Sequence, residues 1–303
     1  MPTNITDVDA FTETVVAPAS GDARTAASVV QGLQPLANRT KALLLSSGLL
    51  HWSHSARVAT GGTNNGNTAV YVGPIQSIAL LFGTDWLIFR EVAELQLTCA
   101  ANFAGGTLAN DTNYYVYATV SAGALTFDVS VTAPDAALAW KTGATSTHRY
   151  LFCFHTSSAG VPLAMQMTRG RYLYRLSALT TELRALNTSS AVGATDVILA
   201  RAGVAGRELL PAHARIARLL SEVTAGGNHV DDLVQVNYGM NGDLGTGAAF
   251  IHRVYGPSAV TNHAVFDCEC DSARTIDYSI TLSNTDAGNP TTTTNLYVIG
   301  FEE

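Results

Sequence analysis

The sequence contains few charged residues, and its basic residues are almost all arginine. Asp, Glu, Lys and Arg make up 14% of the 303 residues, against about a quarter in an average domain. Arginine occurs fifteen times and lysine twice, and arginine is favoured at interfaces because its planar guanidinium pairs bidentately. A GC-rich genome would produce the same excess. A chain this apolar is expected to fold, and to bury much of its surface in cores or between subunits.

The balance of charge argues against a nucleic-acid partner. The net charge is −7, whereas contact with phosphates needs a basic face. Arg169, Arg171 and Arg175 form a short basic cluster, which we interpret as interface or salt-bridge chemistry.

Cysteines and long apolar runs are also scarce. Cys99, Cys153, Cys268 and Cys270 match neither a disulfide framework nor the paired CxxC spacing of zinc sites. The first residues lack a basic segment followed by an apolar run, so no signal peptide is predicted. Apolar stretches such as 78–82 are too short to cross a bilayer. We expect a protein made in a reducing cytosol, without membrane insertion.

A helical pattern occupies residues 21–46. Apolar and small residues recur there at alternating spacings of three and four, which predicts one stripe along a helix. Pro35 breaks the pattern, so two short helices are predicted, at about 26–33 and 35–45. The stripe has no helical partner nearby, so we predict that it packs against copies of itself. The predicted oligomerisation residues are Ala26, Val29, Val30, Leu33, Leu36, Ala37, Leu43 and Leu44.

β-patterns dominate the rest of the chain. Segments 113–120 and 125–131 alternate apolar and polar residues around a Ser-Ala-Gly turn, which predicts a hairpin. Segment 178–186 suggests a helical turn, and six or seven short strands follow it, as in an antiparallel sandwich. The predicted fold is mainly β: a short helical collar followed by two antiparallel β-sandwich-like domains. The predicted divisions are an anchoring arm (1–19), the collar (20–48), a first β domain (49–186) and a C-terminal β-sandwich domain (187–303).

Two pairs of residues are of types that bind metals, but we interpret neither pair as a metal site. His51 and His54 could share a helical face, but the local sequence is not helical and has no third ligand nearby. Cys268 and Cys270 would point to one face of a strand, and we interpret them as buried or half-buried free thiols. The sequence therefore predicts no metal site and no cofactor.

The sequence also gives little support for a calcium site, a catalytic site or a sugar-binding site. Asp231, Asp232, Asn241 and Asp243 lack the regular spacing of a calcium loop. The GxSxG motif is absent, so no enzyme is predicted. Aromatic residues are numerous, and we interpret them mainly as core or interface, with sugar stacking as the alternative. They are Trp52, Trp86, Trp140, Tyr114, Tyr115, Tyr117, Tyr150, Tyr172 and Tyr174.

The opening segment ITDVDAFTETVVAPASGDARTAASVVQGLQPLANRTKAL resembles N-terminal segments of structural proteins from tailed bacteriophages. The phrases YYVYA, TAPD, KTG, RYL and GRYLYR resemble the middle β-domain of phage appendage proteins, and the closing YVIGF resembles their C-terminal tips. The resemblance implies a non-enzymatic virion protein, assembled in the host cytoplasm. It would be a homotrimeric tail-fibre, baseplate or head-attached component whose residues 1–48 contact other virion or tail proteins.

Two other functions stay open at this point. An adhesin would bind a host surface glycan through its last domain. A depolymerase would cleave a host polysaccharide, although no catalytic motif supports it.

Overall fold

The chain folds mainly into antiparallel β-sheets. The computed structural model describes residues 56–83, 85–91, 93–103, 105–144, 147–168, 170–175, 181–227, 232–242, 244, 250–256, 259–283 and 291–303. The predicted arm and helical collar, with all eight predicted oligomerisation residues, lie outside these residues. Helical structure in the described chain is one short helix, α1 (Cys99–Asn102), and a 3-10 turn at Arg201–Gly203.

Eighteen strands follow one another along the described chain. In chain order they are β1 (Ala56–Val58), β2 (Asn67–Val72), β3 (Ile75–Phe82), β4 (Asp85–Glu91), β5 (Leu95–Thr98), β6 (Asn113–Ser121), β7 (Ala124–Ser130), β8 (Arg149–His155), β9 (Met165–Thr168), β10 (Arg171–Tyr174), β11 (Arg184–Thr188), β12 (Val192–Ile198), β13 (Ile216–Gly226), β14 (Leu233–Met240), β15 (Phe250–Tyr255), β16 (Val260–Glu269), β17 (Thr275–Ser283) and β18 (Thr291–Glu302). The predicted hairpin is confirmed as β6–β7, which turns through Ala122 and Gly123, both at positive φ.

The strands form four sheets. The largest has nine strands in the order β16-β13-β18-β10-β9-β1-β2-β5, with β11 also paired to β18. A four-stranded sheet has the order β12-β17-β14-β15, a three-stranded sheet the order β7-β6-β8, and β3 pairs with β4. The nine-stranded sheet takes strands from both sides of residue 187, where the sequence predicts a domain boundary.

Strand β18 connects the two halves of the chain. Along one edge it pairs with β13, from Gly226↔Thr291 to Ile216↔Glu302. Along the other edge its first part pairs with β11 and its last part with β10. A twelve-residue strand is long enough to hold β11 and β10 one after the other. The pairing with β11 also corrects the predicted helical turn, because residues 184–188 form a strand whose buried side chain is Ala185.

The four-stranded sheet packs face to face against the β13 end of the large sheet. The Tyr238 and Phe266 rings lie 4.8 Å apart between the two sheets. Ser221 of β13 hydrogen-bonds the Tyr238 hydroxyl and Nδ1 of His252, each at 2.9 Å. This polar bridge fixes the register of one sheet over the other, because each group would lose a buried partner if the sheets slid.

The three-stranded sheet belongs to the same hydrophobic core and also makes polar contacts with the second half. Asn113 at the start of β6 donates through Nδ2 to the carbonyl oxygens of Glu208 (2.9 Å) and Leu210 (3.1 Å). The guanidinium of Arg201 pairs bidentately with Asp111, at 2.7 and 2.6 Å. Fork geometry of this kind adds orientation as well as energy.

The close approach of strands β18 and β10 at Gly300 leads to the first prediction. A Cβ atom at Gly300 would lie 2.2 Å from the backbone oxygen of Tyr172 in the neighbouring strand. We expect Gly300→Ala to lower the free energy of unfolding by about 1–3 kcal/mol, because backbone must move. Gly193→Ala is the matched control, since a Cβ there meets nothing within 4 Å. Urea unfolding of both variants measures the difference, and equal midpoints would contradict it.

Buried His155 yields a prediction about pH. Burial lowers the pKa of His155 to about 4, from about 6.5 in an unfolded chain. Below pH 6.5 the unfolded chain therefore binds a proton that the folded chain does not. Stability should fall between about pH 6.5 and 4 by about 3 kcal/mol from this group. His155→Gln removes this proton linkage, so the loss measured by urea unfolding at pH 7 and pH 4.5 should shrink. An unchanged loss would contradict the prediction.

Candidate functional site

The end of β18 brings together a thiol, an imidazole, a carboxylate and two phenols. We call this group the Glu303 centre; its members are Tyr150, Cys153, Tyr172, His213 and Glu303. Tyr150 and Cys153 come from β8, Tyr172 comes from β10, His213 precedes β13, and Glu303 directly follows β18. The centre thus draws on both halves of the chain.

Backbone pairing on both edges of β18 positions Glu303. On one side the Glu303 amide donates to the carbonyl of Gly170 at 3.1 Å, beside the pairing of Arg171 with Glu302. On the other side the Arg215 amide donates to the carbonyl of Glu302 at 3.0 Å. The second bond also fixes the segment that carries His213, so the two side chains meet as a consequence of strand register.

Oxygen Oε1 of Glu303 is the point at which the centre converges. His213 Nε2 lies 2.7 Å from it, and Cys153 Sγ lies 3.6 Å from it. The Tyr150 hydroxyl donates a hydrogen bond to the same oxygen, and its own oxygen lies 3.4 Å from the Tyr172 hydroxyl. The ligand-type atoms of Cys153, His213 and Glu303 all lie within 4.8 Å of one another.

The centre is largely shielded from water. The side chains of His213 and Glu303 are 15% and 9% exposed, and Cys153 is 1% exposed. Burial raises the pKa of the Cys153 thiol well above its usual value, and the Glu303 carboxylate raises it further. Burial likewise raises the pKa of Tyr150 and Tyr172 well above their usual values. Such a thiol stays protonated at neutral pH, so Cys153 is poorly suited to act as a nucleophile.

Two tyrosine rings hold the imidazole of His213. Tyr115 lies 5.7 Å from it between ring centroids, and Tyr150 approaches edge-on at 5.8 Å. Nε2 of the ring faces Glu303, while Nδ1 is buried without a hydrogen-bond partner among the described residues. The ring is therefore fixed by packing on its faces and by one polar contact.

A cavity adjoins the centre on the β10 side. It has a volume of about 430 Å³ and is lined by Thr168, Gly170, Arg171, Glu302 and Glu303. The Arg171 Nε donates to Glu302 Oε1 at 2.5 Å across its wall. This ion pair confirms the salt-bridge interpretation for Arg171. Glu303 is the member of the centre that lines this cavity.

Ser221 and His252 have the residue types of a nucleophile and its base, but their surroundings favour a structural role. Ser221 is fully buried and His252 is 5% exposed, between two packed sheets. Burial also lowers the pKa of His252, which favours the neutral imidazole between the sheets. A substrate would have to separate the sheets to reach them.

The structure brings few of the sequence's candidate residues together. His51, His54, Asp231 and Asp243 lie outside the described residues. The Asn241 amide donates to Asp271 at 2.9 Å. All four cysteines are free thiols. This confirms the interpretation of Cys268, which is buried, and of Cys270, which is half-buried just beyond the end of β16.

The aromatic residues are mainly core, as predicted. All six of the tyrosines that the sequence singled out are buried, at 4% exposure or less. They therefore cannot stack on a sugar in this fold. Trp140 is half-buried and lies 4.8 Å from the guanidinium of Arg149.

The Glu303 centre is the group that sequence reasoning missed. His213 is 90 residues from Glu303, and Cys153 is 150 residues from it. No local motif marks ligands at such spacings. The available signal was the termination of the apolar strand LYVIGF in two glutamates, which placed a carboxylate at the end of a core strand.

Comparisons with known proteins identify no family. No protein-family model matches the chain, and no curated protein matches it. Among solved structures, similarity is found to a Cry1Da tryptic core variant from Bacillus thuringiensis, at 7% identity and a TM-score of 0.21 over 82% of this chain and 51% of that one. The chain thus spans about half the length of that tryptic core variant.

Two structures of infectious bursal disease virus particles are also similar. The VP2 subviral particle aligns at 10% identity and a TM-score of 0.18, over 82% of this chain and 68% of that one. The T=1 particle aligns at 8% identity and a TM-score of 0.15, over 82% and 70%. At these TM-scores the similarities carry no argument. Within the described residues, no helix is long and apolar enough to cross a membrane.

Proposed function

We propose that the protein is a non-enzymatic structural component of a virion, a homotrimeric fibre or baseplate protein of a tailed phage or a related particle. Residues 1–48 would form the anchoring arm and helical collar. The rest, whose two halves share the nine-stranded sheet, would face outward. The resemblance of the sequence to trimeric phage appendage proteins supports the number of copies, and an exposed strand edge supports self-association.

The outer edge of strand β16 is the feature that supports the proposal most directly. Its ten residues pair with β13 on one edge, and no described strand pairs with the other edge. Val260 and Val265 on this strand are 38% and 52% exposed. A long edge with exposed apolar side chains is a template for association with another chain.

The outer face next to this edge has the composition of a subunit interface. Val265 lies opposite Leu220 in β13, and Leu220 lies opposite Tyr297 in β18, which places the three side chains in one row. Val265 is exposed, Tyr297 is half-buried and Leu220 is buried. Neighbouring polar side chains already have partners within the chain. His263 Nε2 lies 3.0 Å from Glu222, and Arg218 Nε lies 3.7 Å from Asp267.

This arrangement favours a second copy of the chain as the occupant. An apolar row beside polar groups that already have partners resembles the centre and rim of a homo-oligomer interface. A partner of opposite charge would find no charged group on the row itself. A second copy presents the same apolar row, so three copies could bury it together around a threefold axis.

Light scattering on the full chain tests the proposal. We expect a mass of three times the 31.8 kDa chain. Val265→Glu should raise the dissociation constant roughly tenfold or more, because three like charges would meet in an apolar contact. Val131→Glu is the matched control, since Val131 is 59% exposed in the other half of the chain.

Two outcomes would overturn the proposal. A wild-type chain that stays monomeric at high concentration would exclude the trimer. Equal weakening by Val265→Glu and Val131→Glu would show that the β16 face is not the interface.

A further inference from the structure

The Glu303 centre contains three kinds of atom that commonly bind metal ions in proteins. A thiol sulfur, an imidazole nitrogen and a carboxylate oxygen converge from three separate segments within 4.8 Å. Sulfur, nitrogen and oxygen donors in one small site are typical of zinc and similar transition metals. Magnesium and calcium prefer oxygen alone. We propose that Cys153, His213 and Glu303 form a binding site for a divalent transition metal, with zinc as the preferred ion.

The distance between Cys153 and Glu303 matches a tetrahedral site, and the distance between His213 and Glu303 is shorter than such a site needs. Bonds of about 2.3 Å to sulfur and about 2.0 Å to oxygen place the two ligand atoms about 3.5 Å apart, and Cys153 Sγ lies 3.6 Å from Glu303 Oε1. The same geometry needs about 3.3 Å between nitrogen and oxygen, whereas His213 Nε2 and Glu303 Oε1 are 2.7 Å apart. A metal would therefore replace this hydrogen bond after an opening of about half an ångström.

Charge also favours a cation at this place. The Glu303 carboxylate is largely buried, and its ion pair within the described residues is with His213 rather than with a lysine or arginine. A divalent metal would supply positive charge next to the carboxylate and would stabilise the thiolate form of Cys153. The Tyr150 hydroxyl already donates to the carboxylate, which is the outer-shell support that metal-bound carboxylates use.

Access and coordination number fit a labile rather than a closed site. Three protein ligands leave a fourth position for water or another ligand. Glu303 also lines the cavity of about 430 Å³, so one of the three ligand residues borders open space. Nδ1 of His213 has no acceptor among the described residues, so we expect weaker binding than in a structural site with four ligands. Binding would link β8 to the segments at β13 and β18, and this role goes beyond assembly into a trimer.

Cobalt titration of the full chain is the direct test. The chain is prepared without an affinity tag, reduced, and freed of metal with a chelator; Co²⁺ is then added and displaced by Zn²⁺. We expect one equivalent of Co²⁺ to give a thiolate-to-cobalt charge-transfer band and the visible bands of tetrahedral cobalt. Zn²⁺ should remove both, and Zn²⁺ should raise the thermal midpoint of unfolding.

Matched variants assign the site. Cys153→Ser should abolish the charge-transfer band, while Cys270→Ser, at a half-buried free thiol, should retain it. Glu303→Gln keeps the size of the side chain and should weaken Zn²⁺ binding at least tenfold, with folding of each variant checked by circular dichroism. The absence of a thiolate band at one equivalent of Co²⁺ would overturn the proposal. A band that persists in Cys153→Ser would overturn it as well.

Discussion

The structure depends on the pairing of β18 along both of its edges. Strand β13 takes one edge over its full length, and β11 and β10 share the other. A strand with neighbours on both edges satisfies most of its backbone groups within the sheet, and it brings distant parts of the chain into that sheet. The two halves of the sequence are therefore joined by backbone hydrogen bonds as well as by side-chain contacts such as Arg201 with Asp111.

Both candidate sites follow from this pairing. At the end of β18, the bonds that fix Glu302 on each side also bring Glu303 to His213 and to the side chains of β8. Near its middle, Tyr297 continues the row formed by Leu220 and Val265 on the outer face. A change in the register of β18 by one residue would reverse which side chains face outward and would dissolve both sites at once.

The elements of the fold could be predicted from local patterns, whereas their long-range pairing could not. Alternation in 113–131 identified the β6–β7 hairpin, because a tight turn sets its register. Residues 178–186 misled the prediction, because a short apolar segment fits a helix and a strand equally well. Residues 184–188 form a strand because they pair with β18. The mainly β class was predictable, but a sheet shared between 49–186 and 187–303 was not.

The same limit applies to the site. The sequence predicted no metal ligands because the three side chains of the proposed metal site are far apart in the chain and carry no motif spacing. Each of them looks ordinary alone: a buried cysteine in a strand, a histidine in a turn, and a glutamate after a core strand. Only the register of β18 against β13 and β10 makes them neighbours.

Hydrogen–deuterium exchange tests most directly whether β18 unites the two halves. The described residues from 56 onward should open as one unit, because removing β18 exposes edges in both halves. We predict that amides in β9–β10 and in β13 lose protection at the same denaturant concentration. Full exchange of the amides of β13 and β18, while those of β9 and β10 keep their protection, would contradict the prediction that β18 unites the two halves.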